Sequence, residues 1–294
     1  MMKVFLPLFF VLLLGCAKQQ VQVSQLGALS PENISFKIDY DLSPGEVVLI
    51  RFPHFYSELA GELNCQDQVL PHHKQGDDLV AFVHASYFAE LKAFECFYKV
   101  GTRDIKVAQI QMNEKIFPSE RLNVDMRHVS LSAKDQARVD QEQIFLNSVY
   151  KLSPPRPYFT KPFIIPLDSH ITSIYGARRV FNNEKQTQHL GTDFRAMPGV
   201  PIVTANAGKV VVARELFYTG LTVTIDHGMG IFTVYGHLSK IQATEGEFVP
   251  LGAQIGLSGA TGRVTGPHLH WGVRVQGHFI DGHSLVRESE KAFN

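Results

Sequence analysis

The run Gly266-Pro267-His268-Leu269-His270-Trp271-Gly272-Val273-Arg274-Val275 constrains this chain more than any other stretch. Its β-branched and aromatic residues favour a strand, and strand side chains alternate between faces. His268 and His270 therefore project the same way, while Leu269 and Trp271 enter the packing. Two imidazoles side by side on a rigid strand are half of a metal site. The missing ligands must come from upstream, where the candidates are His189-Leu190-Gly191-Thr192-Asp193 and Tyr235-Gly236-His237-Leu238.

A chain of 294 residues has the length for two domains, each with its own core. Lys+Arg and Asp+Glu balance at 28 each, which leaves no basic footprint for nucleic acid. Low charge and 23 glycines fit a turn-rich β protein better than a helical one.

Met1-Met2-Lys3 followed by an apolar run to Leu14 has signal-peptide proportions, and the run is too short to span a bilayer, which takes ~20 residues. It ends in Leu13-Leu14-Gly15-Cys16, which resembles a bacterial lipobox with Cys16 as the lipidated residue. Residues 1–16 are thus expected as a lipoprotein signal peptide, and the Gln-rich stretch 17–27 as a tether. Ala17 after the cysteine points to an outer-membrane anchor facing the periplasm. Export makes the other cysteines informative: Cys65 and Cys96 are an even pair in an oxidising compartment. A disulfide between them would contribute ~3 kcal/mol in the chain-entropy model.

Residues 28–125 read as short strands broken by turns, the clearest at 46–52, 79–83 and 94–100, and predict a β-sandwich-like domain. His72-His73, beside Pro71, is expected as a surface pair in a loop. A helix and Pro-rich linker are expected over 126–162. Ser132 with Asp135 forms a capping box, Ala137, Ile144, Phe145 and Val149 give an apolar face, and Pro154, Pro155 and Pro157 end the helix. Residues 163–286 read as an antiparallel β domain. Hairpins are signalled at Asn206-Ala207-Gly208 and at Asp226-His227-Gly228-Met229-Gly230. Residues 287–294 are left as a C-terminal tail. His170, His227, His278 and His283 lie near turns and are expected to be solvated, while His84 and His128 show no partner.

His189 and Asp193 are four residues apart, a spacing that shares a face on a helix or in an extended chain. With His270 they give two imidazoles and one carboxylate, the set a catalytic zinc uses with its fourth position left to water. A closed structural site would call for four protein ligands, often thiolates, and none are available. His237 and His268 are then left without metal work. In the absence of a His-Glu-x-x-His arrangement, imidazoles must serve as base and oxyanion donor. The spacing does not choose which histidine does which.

Each fragment recurs by chance; their combination does not. Ser173-Ile174-Tyr175-Gly176-Ala177-Arg178-Arg179, His189-x-Gly191-Thr192-Asp193, Tyr235-Gly236-His237-Leu238-Ser239 and the run Gly259-x-Thr261-Gly262-x-x-Thr265-Gly266-Pro267-His268-Leu269-His270 occur in that order. Together they closely resemble the M23 metallopeptidases, the lysostaphin-type or LytM-domain family, over about residues 163–286. The resemblance implies one Zn2+ bound by His189, Asp193 and His270, with His237 and His268 as catalytic histidines. It also implies a mostly β fold built on an antiparallel sheet. Implied too is hydrolysis of peptide bonds in peptidoglycan cross-links or stem peptides. Trp271 stands where Phe is commoner, and Gly220-Leu221-Thr222 replaces a more usual Asn-containing turn; neither change removes a ligand or a catalytic histidine.

The other reading is a catalytically silent LytM-type wall-binding module or amidase activator. Such a module has no reason to keep all five residues. Arg178 and Arg179 are candidates to meet a substrate carboxylate bidentately, with a surface ion pair as the plainer alternative. The expected partners are peptidoglycan peptides and a membrane reached through the lipid on Cys16. No protein regulator is named by the sequence.

Overall fold

The computed structural model describes residues 37–54, 61–122, 131–181 and 185–293. The signal peptide, the tether, Cys16 and His128 lie outside the described residues. Among the described residues, no helix is long and apolar enough to cross a membrane.

The N-terminal part holds two facing sheets. One runs, in spatial order, Asp39–Leu42, Arg103–Met112, Phe94–Val100, Glu62–Cys65 and Gln68–Leu70; the other is Val47–Pro53, Asp78–His84 and His73–Gln75. Pairing is antiparallel except at the edge, where Asp39–Leu42 lies parallel to residues 109–112. Cys65 and Cys96 sit opposite one another on neighbouring strands and are disulfide-bonded. The strand Val47–Pro53 reads apolar almost without alternation because both its faces are covered. Ile50 and Phe52 are fully buried toward the first sheet, where the Phe52 ring meets Tyr98 at 5.2 Å. Val47 and Leu49, with Val80 and Phe82, join one continuous core with Phe159, Phe163, Phe194, Trp271 and Leu285. His72 and His73, expected at the surface, are half-buried, and their rings stand edge-on to Tyr98 and Phe159.

The C-terminal part is a sheet in the order Ile171–Ser173, Thr192–Arg195, His268–Val275, Ile231–Ile241, Gly220–Asp226, Gly208–Leu216 and Phe248–Val249, antiparallel at each of these pairings. The predicted hairpin over 226–230 forms, joining Gly220–Asp226 to Ile231–Ile241. The one predicted at 206–208 does not: Pro201–Val203 pairs with Gln254–Ser258 instead. Asn206 is buried, its amide donating to the Lys161 carbonyl at 2.9 Å and its oxygen accepting from Ala207 N at 2.8 Å. Those bonds hold the segment as a buried connection between strands that pair elsewhere, not as a two-strand turn.

Helix α1, Ala133–Tyr150, starts at the predicted cap, where Ser132 Oγ accepts from Asp135 N at 3.1 Å. Its expected apolar face is not buried; none of its residues is, and Ile144 is 71% exposed. Helix α2, Gly282–Phe293, replaces the expected tail over 287–293. Its inward face is partly polar, since it satisfies the open edge of Val47–Pro53. Ser284 Oγ accepts from Val47 N at 2.9 Å, and the buried Glu288 carboxylate accepts from Leu49 N at 3.2 Å. On its other side Ser289 Oγ accepts from Phe163 N at 2.9 Å. An open strand edge buried without partners would leave costly orphan donors, and α2 supplies the acceptors.

Candidate functional site

Leu269, Trp271, Val273 and Val275 go into the core, so His268 and His270 share the opposite face of their strand. Register then places the neighbours. Asp193 lies directly across from His270 on one side and Gly236 on the other. His189 is brought in by clamping its backbone to the 174–177 turn, with His189 N donating to Ala177 O at 2.9 Å and Gly176 N to His189 O at 2.7 Å.

Three donors converge. His189 Nε2 lies 3.0 Å and His270 Nδ1 2.9 Å from Asp193 Oδ1, and the two nitrogens are 3.2 Å apart. Ligand atoms of the three residues fall within 4.8 Å of one another, a group that could hold a metal ion. His189 Nδ1 lies 3.1 Å from the Ile174 carbonyl and 3.2 Å from Ser173 Oγ; a proton on Nδ1 donating to that carbonyl would leave Nε2 its lone pair for a metal. Burial alone would raise the Asp193 carboxyl, but the His189 and His270 imidazoles beside Oδ1, wherever one turns a ring proton toward it, outweigh burial and hold the group well below the usual carboxylate range. Two neutral imidazole nitrogens and one carboxylate oxygen are a donor set suited to zinc.

Gly191 is part of this arrangement. A Cβ there would stand 2.4 Å from His270 Cε1 and 2.9 Å from the Trp271 carbonyl oxygen, so only hydrogen leaves room for the ring.

His237 sits inside the strand Ile231–Ile241. Between the pairs Leu221↔Leu238 and Val223↔Tyr235, Gly236 and His237 oppose Thr222 alone, which is a β-bulge. The extra residue re-aims a side chain that would otherwise follow the strand's alternation. His237 adopts φ +60°, a left-handed conformation costing on the order of 1–3 kcal/mol for a side chain of this kind. Its N–H donates to Thr219 O at 2.6 Å and its Nδ1–H to Thr261 O at 2.8 Å. His268 is tied in the same manner, Nδ1–H to Gly266 O at 2.9 Å, with Nε2 3.6 Å from Asp193 Oδ1. The His237 ring lies 4.7 Å from that of His268 and 5.9 Å from that of His270. Burial first, and the charge of His270 second, push His237 down to about 3, so it is neutral at neutral pH.

All five predicted site residues of the cluster therefore meet. Arg178 makes its contact outside this cluster, its Nε donating to the Tyr87 hydroxyl at 3.3 Å. The Arg179 side chain is outside the described residues. His227, expected in solvent, is fully buried, with Nδ1–H donating to Ala207 O at 2.8 Å, Nε2 2.7 Å from Thr233 Oγ1, and the Phe163 ring edge-on at 5.0 Å. His84 also has partners, the Gln276 side chain at 3.2 Å and the stacked His278 ring at 5.1 Å. The roles of the Ile174, Thr219, Thr261 and Gly266 carbonyls and of the bare Cα of Gly191 were missed; Ile174, Gly191, Thr261 and Gly266 stand in the sequence motifs, but nothing there marks what each does.

Residues 187–282 match the model for peptidase family M23. The peptidoglycan DD-endopeptidase ShyA of Vibrio cholerae is 46% identical over 119 residues, which cover 40% of this chain and 28% of ShyA. The DD-carboxypeptidase/endopeptidase Mpg of Neisseria meningitidis is 39% identical over 98 residues, 33% of this chain and 23% of Mpg. The matched stretch thus spans less than a third of either relative's length. A crystal structure of a putative peptidase M23 from Pseudomonas aeruginosa aligns over 84% of this chain and 95% of that one, with TM-score 0.63 and 25% identity. The family match begins just before His189 and ends at the start of α2, enclosing all five clustered residues, and with it the chain carries a domain of peptidase family M23.

Proposed function

We propose that this chain is a zinc metalloendopeptidase that hydrolyses peptide bonds in peptidoglycan cross-links or stem peptides. One observation carries the reading: His189, Asp193 and His270 present three donor atoms within 4.8 Å, beside two further imidazoles tethered by Nδ1. Zinc held by His189 Nε2, Asp193 and His270 Nδ1 would supply a Lewis acid that polarises the scissile carbonyl and acidifies water.

The chain's own residues do the rest. His237 and His268 each donate Nδ1–H to a backbone carbonyl, so each offers a bare Nε2 toward the donor cluster. The imidazole that accepts the proton of the attacking water becomes a cation. It can then return that proton to the leaving amine, and a neighbour that carried a proton on Nε2 as well as Nδ1 would steady charge on the carbonyl oxygen. Asp193 stays ionised throughout because its partners hold it far below neutrality. The V. cholerae and N. meningitidis relatives bear peptidoglycan-cleaving names, and that substrate class is the one we assign here. Exported, periplasmic placement with a lipid anchor on Cys16 belongs to the same proposal and rests on the lipobox alone.

Digestion of purified sacculi, followed by mass identification of the fragments, tests the assignment. Release of peptide-cleaved muropeptides that stops on chelation and returns with zinc is expected. Intact cross-links after incubation with the zinc-loaded chain would leave only a wall-binding module.

A further inference from the structure

Helix α1 lies outside the residues matched to the family, buries none of its own side chains, and yet touches the turn that holds His237. We propose that Glu142 is a positioning residue for His237, acting through the turn at residues 217–220; the inference goes beyond the peptidase reading and rests on it only for the consequence to turnover. Glu142 Oε2 accepts from Phe217 N at 2.8 Å. Its other oxygen is held by Arg138 Nε at 2.7 Å, and the Arg138 guanidinium lies 5.7 Å from the centre of the Phe217 ring. Arg214, on the strand leading into the turn, stacks over Phe145 of the helix at 4.1 Å.

From Phe217 the connections run straight into the site. Tyr218 O accepts from Arg263 N at 2.9 Å, and Thr219 O accepts from His237 N at 2.6 Å. Gly220, at φ +60°, packs so tightly on residues 261–262 that a Cβ there would lie 2.3 Å from the Thr261 carbonyl carbon. Thr261 Oγ1 accepts from Leu221 N at 2.9 Å, and Thr261 O receives the His237 ring N–H. One turn and the segment wedged against it thus grip His237 twice, by backbone and by ring. A left-handed histidine has no intrinsic preference for that geometry, so it persists only where its surroundings over-determine it. Glu142 fixes the outer end of that grip.

A role in merely attaching the helix is separable. Tyr150, at the far end of α1, meets Phe232 at 4.9 Å and lies under Arg274 at 4.2 Å, contacts that do not involve Glu142.

Glu142→Ala and Glu142→Gln in the full chain test the proposal with two readouts. Backbone amide exchange of the zinc-free protein reports the Thr219–His237 bond directly. In Glu142→Ala the His237 amide should exchange ~10-fold faster, the equilibrium worth of one hydrogen bond, while strand amides near Phe232 keep their protection. Glu142→Gln, whose amide oxygen can accept the same bond, should exchange like the parent. With zinc and a soluble cross-linked muropeptide dimer, kcat should fall ~5–10-fold in Glu142→Ala at a KM within ~2-fold, and Gln should restore it. Parental protection at His237 in Glu142→Ala overturns the proposal, and so does a uniform rise in exchange across the sheet. Failure of the parent chain to cleave would sink the peptidase reading and leave the exchange result to decide this one.

Discussion

Gly191→Ala isolates how closely the site is built. Gly191 is not in the left-handed region, so alanine meets no backbone penalty there and the effect must come from space. Its Cβ would lie 2.4 Å from His270 Cε1, 2.8 Å from His270 Nε2 and 2.9 Å from the Trp271 carbonyl oxygen. Ordinary carbon–carbon contact begins near ~3.5 Å, so something must move by about 1 Å. The Trp271 carbonyl belongs to a strand hydrogen-bonded on both sides, which leaves the His270 imidazole to give way. That ring cannot pivot about its Cβ without carrying Nδ1 away from Asp193 and His189. Overpacking of this kind costs ~1–3 kcal/mol of stability. Disturbing the support of a metal ligand typically costs ~10–100-fold in affinity. Zinc dissociation constants from competition with a chromogenic chelator, together with urea midpoints, measure both. Gly266→Ala is the control, since a Cβ there meets nothing within 4 Å and the carbonyl that holds His268 is retained. Parental zinc affinity and stability in Gly191→Ala would refute the idea that the missing Cβ seats His270.

His270→Ala removes one of three donors and should abolish stoichiometric zinc, read by elemental analysis after gel filtration. By contrast, His268→Ala should keep the metal while turnover drops ~10²–10⁴-fold, the range for a general acid–base group; full activity would take His268 out of the chemistry. Acid stability is set partly by His227, which burial pushes down to about 4 against the opposing bond to Ala207. A folded-state value below the unfolded ~6.5 means the native state favours the neutral ring. Its stabilisation is therefore complete above pH ~6.5, wanes as pH falls toward 4, and amounts to about 3 kcal/mol lost by pH 4. Urea unfolding across that window, alongside the ring-proton titration of His227, checks it; a native ring titrating near 6.5 would contradict the burial argument.

What could be read in advance, and what could not, divides along a physical line. The strand of His268 and His270 was legible because period-2 alternation needs no tertiary knowledge, and Leu269 and Trp271 duly fill the core. The 226–230 hairpin was legible because its glycines supply the positive φ its turn requires, at Gly228 and Gly230. Helix α2 was invisible for the opposite reason. Its buried positions include Ser284, Glu288 and Ser289, polar because they answer N–H groups of Val47, Leu49 and Phe163, and an inward polar face erases the helical signature in the sequence. His227 was misjudged because its cover comes from Phe163 and from the bridge between Pro157 and Gly228, both distant in the chain.

The same division runs through the site itself. A sequence displays imidazoles and carboxylates, so the five residues could be named from their spacing together with the family resemblance of the motifs that hold them. Which nitrogen of each ring is free, however, is decided by main-chain carbonyls: Ile174 for His189, Thr261 for His237, Gly266 for His268. Every residue carries the same main-chain carbonyl, so nothing in residue identity marks these three. They are selected by fold alone, by a bulge at His237, a clamped turn before His189 and a glycine-rich loop before His268. Residues far from the cluster that shape those backbones, Glu142 among them, therefore bear on the chemistry without displaying any chemistry of their own.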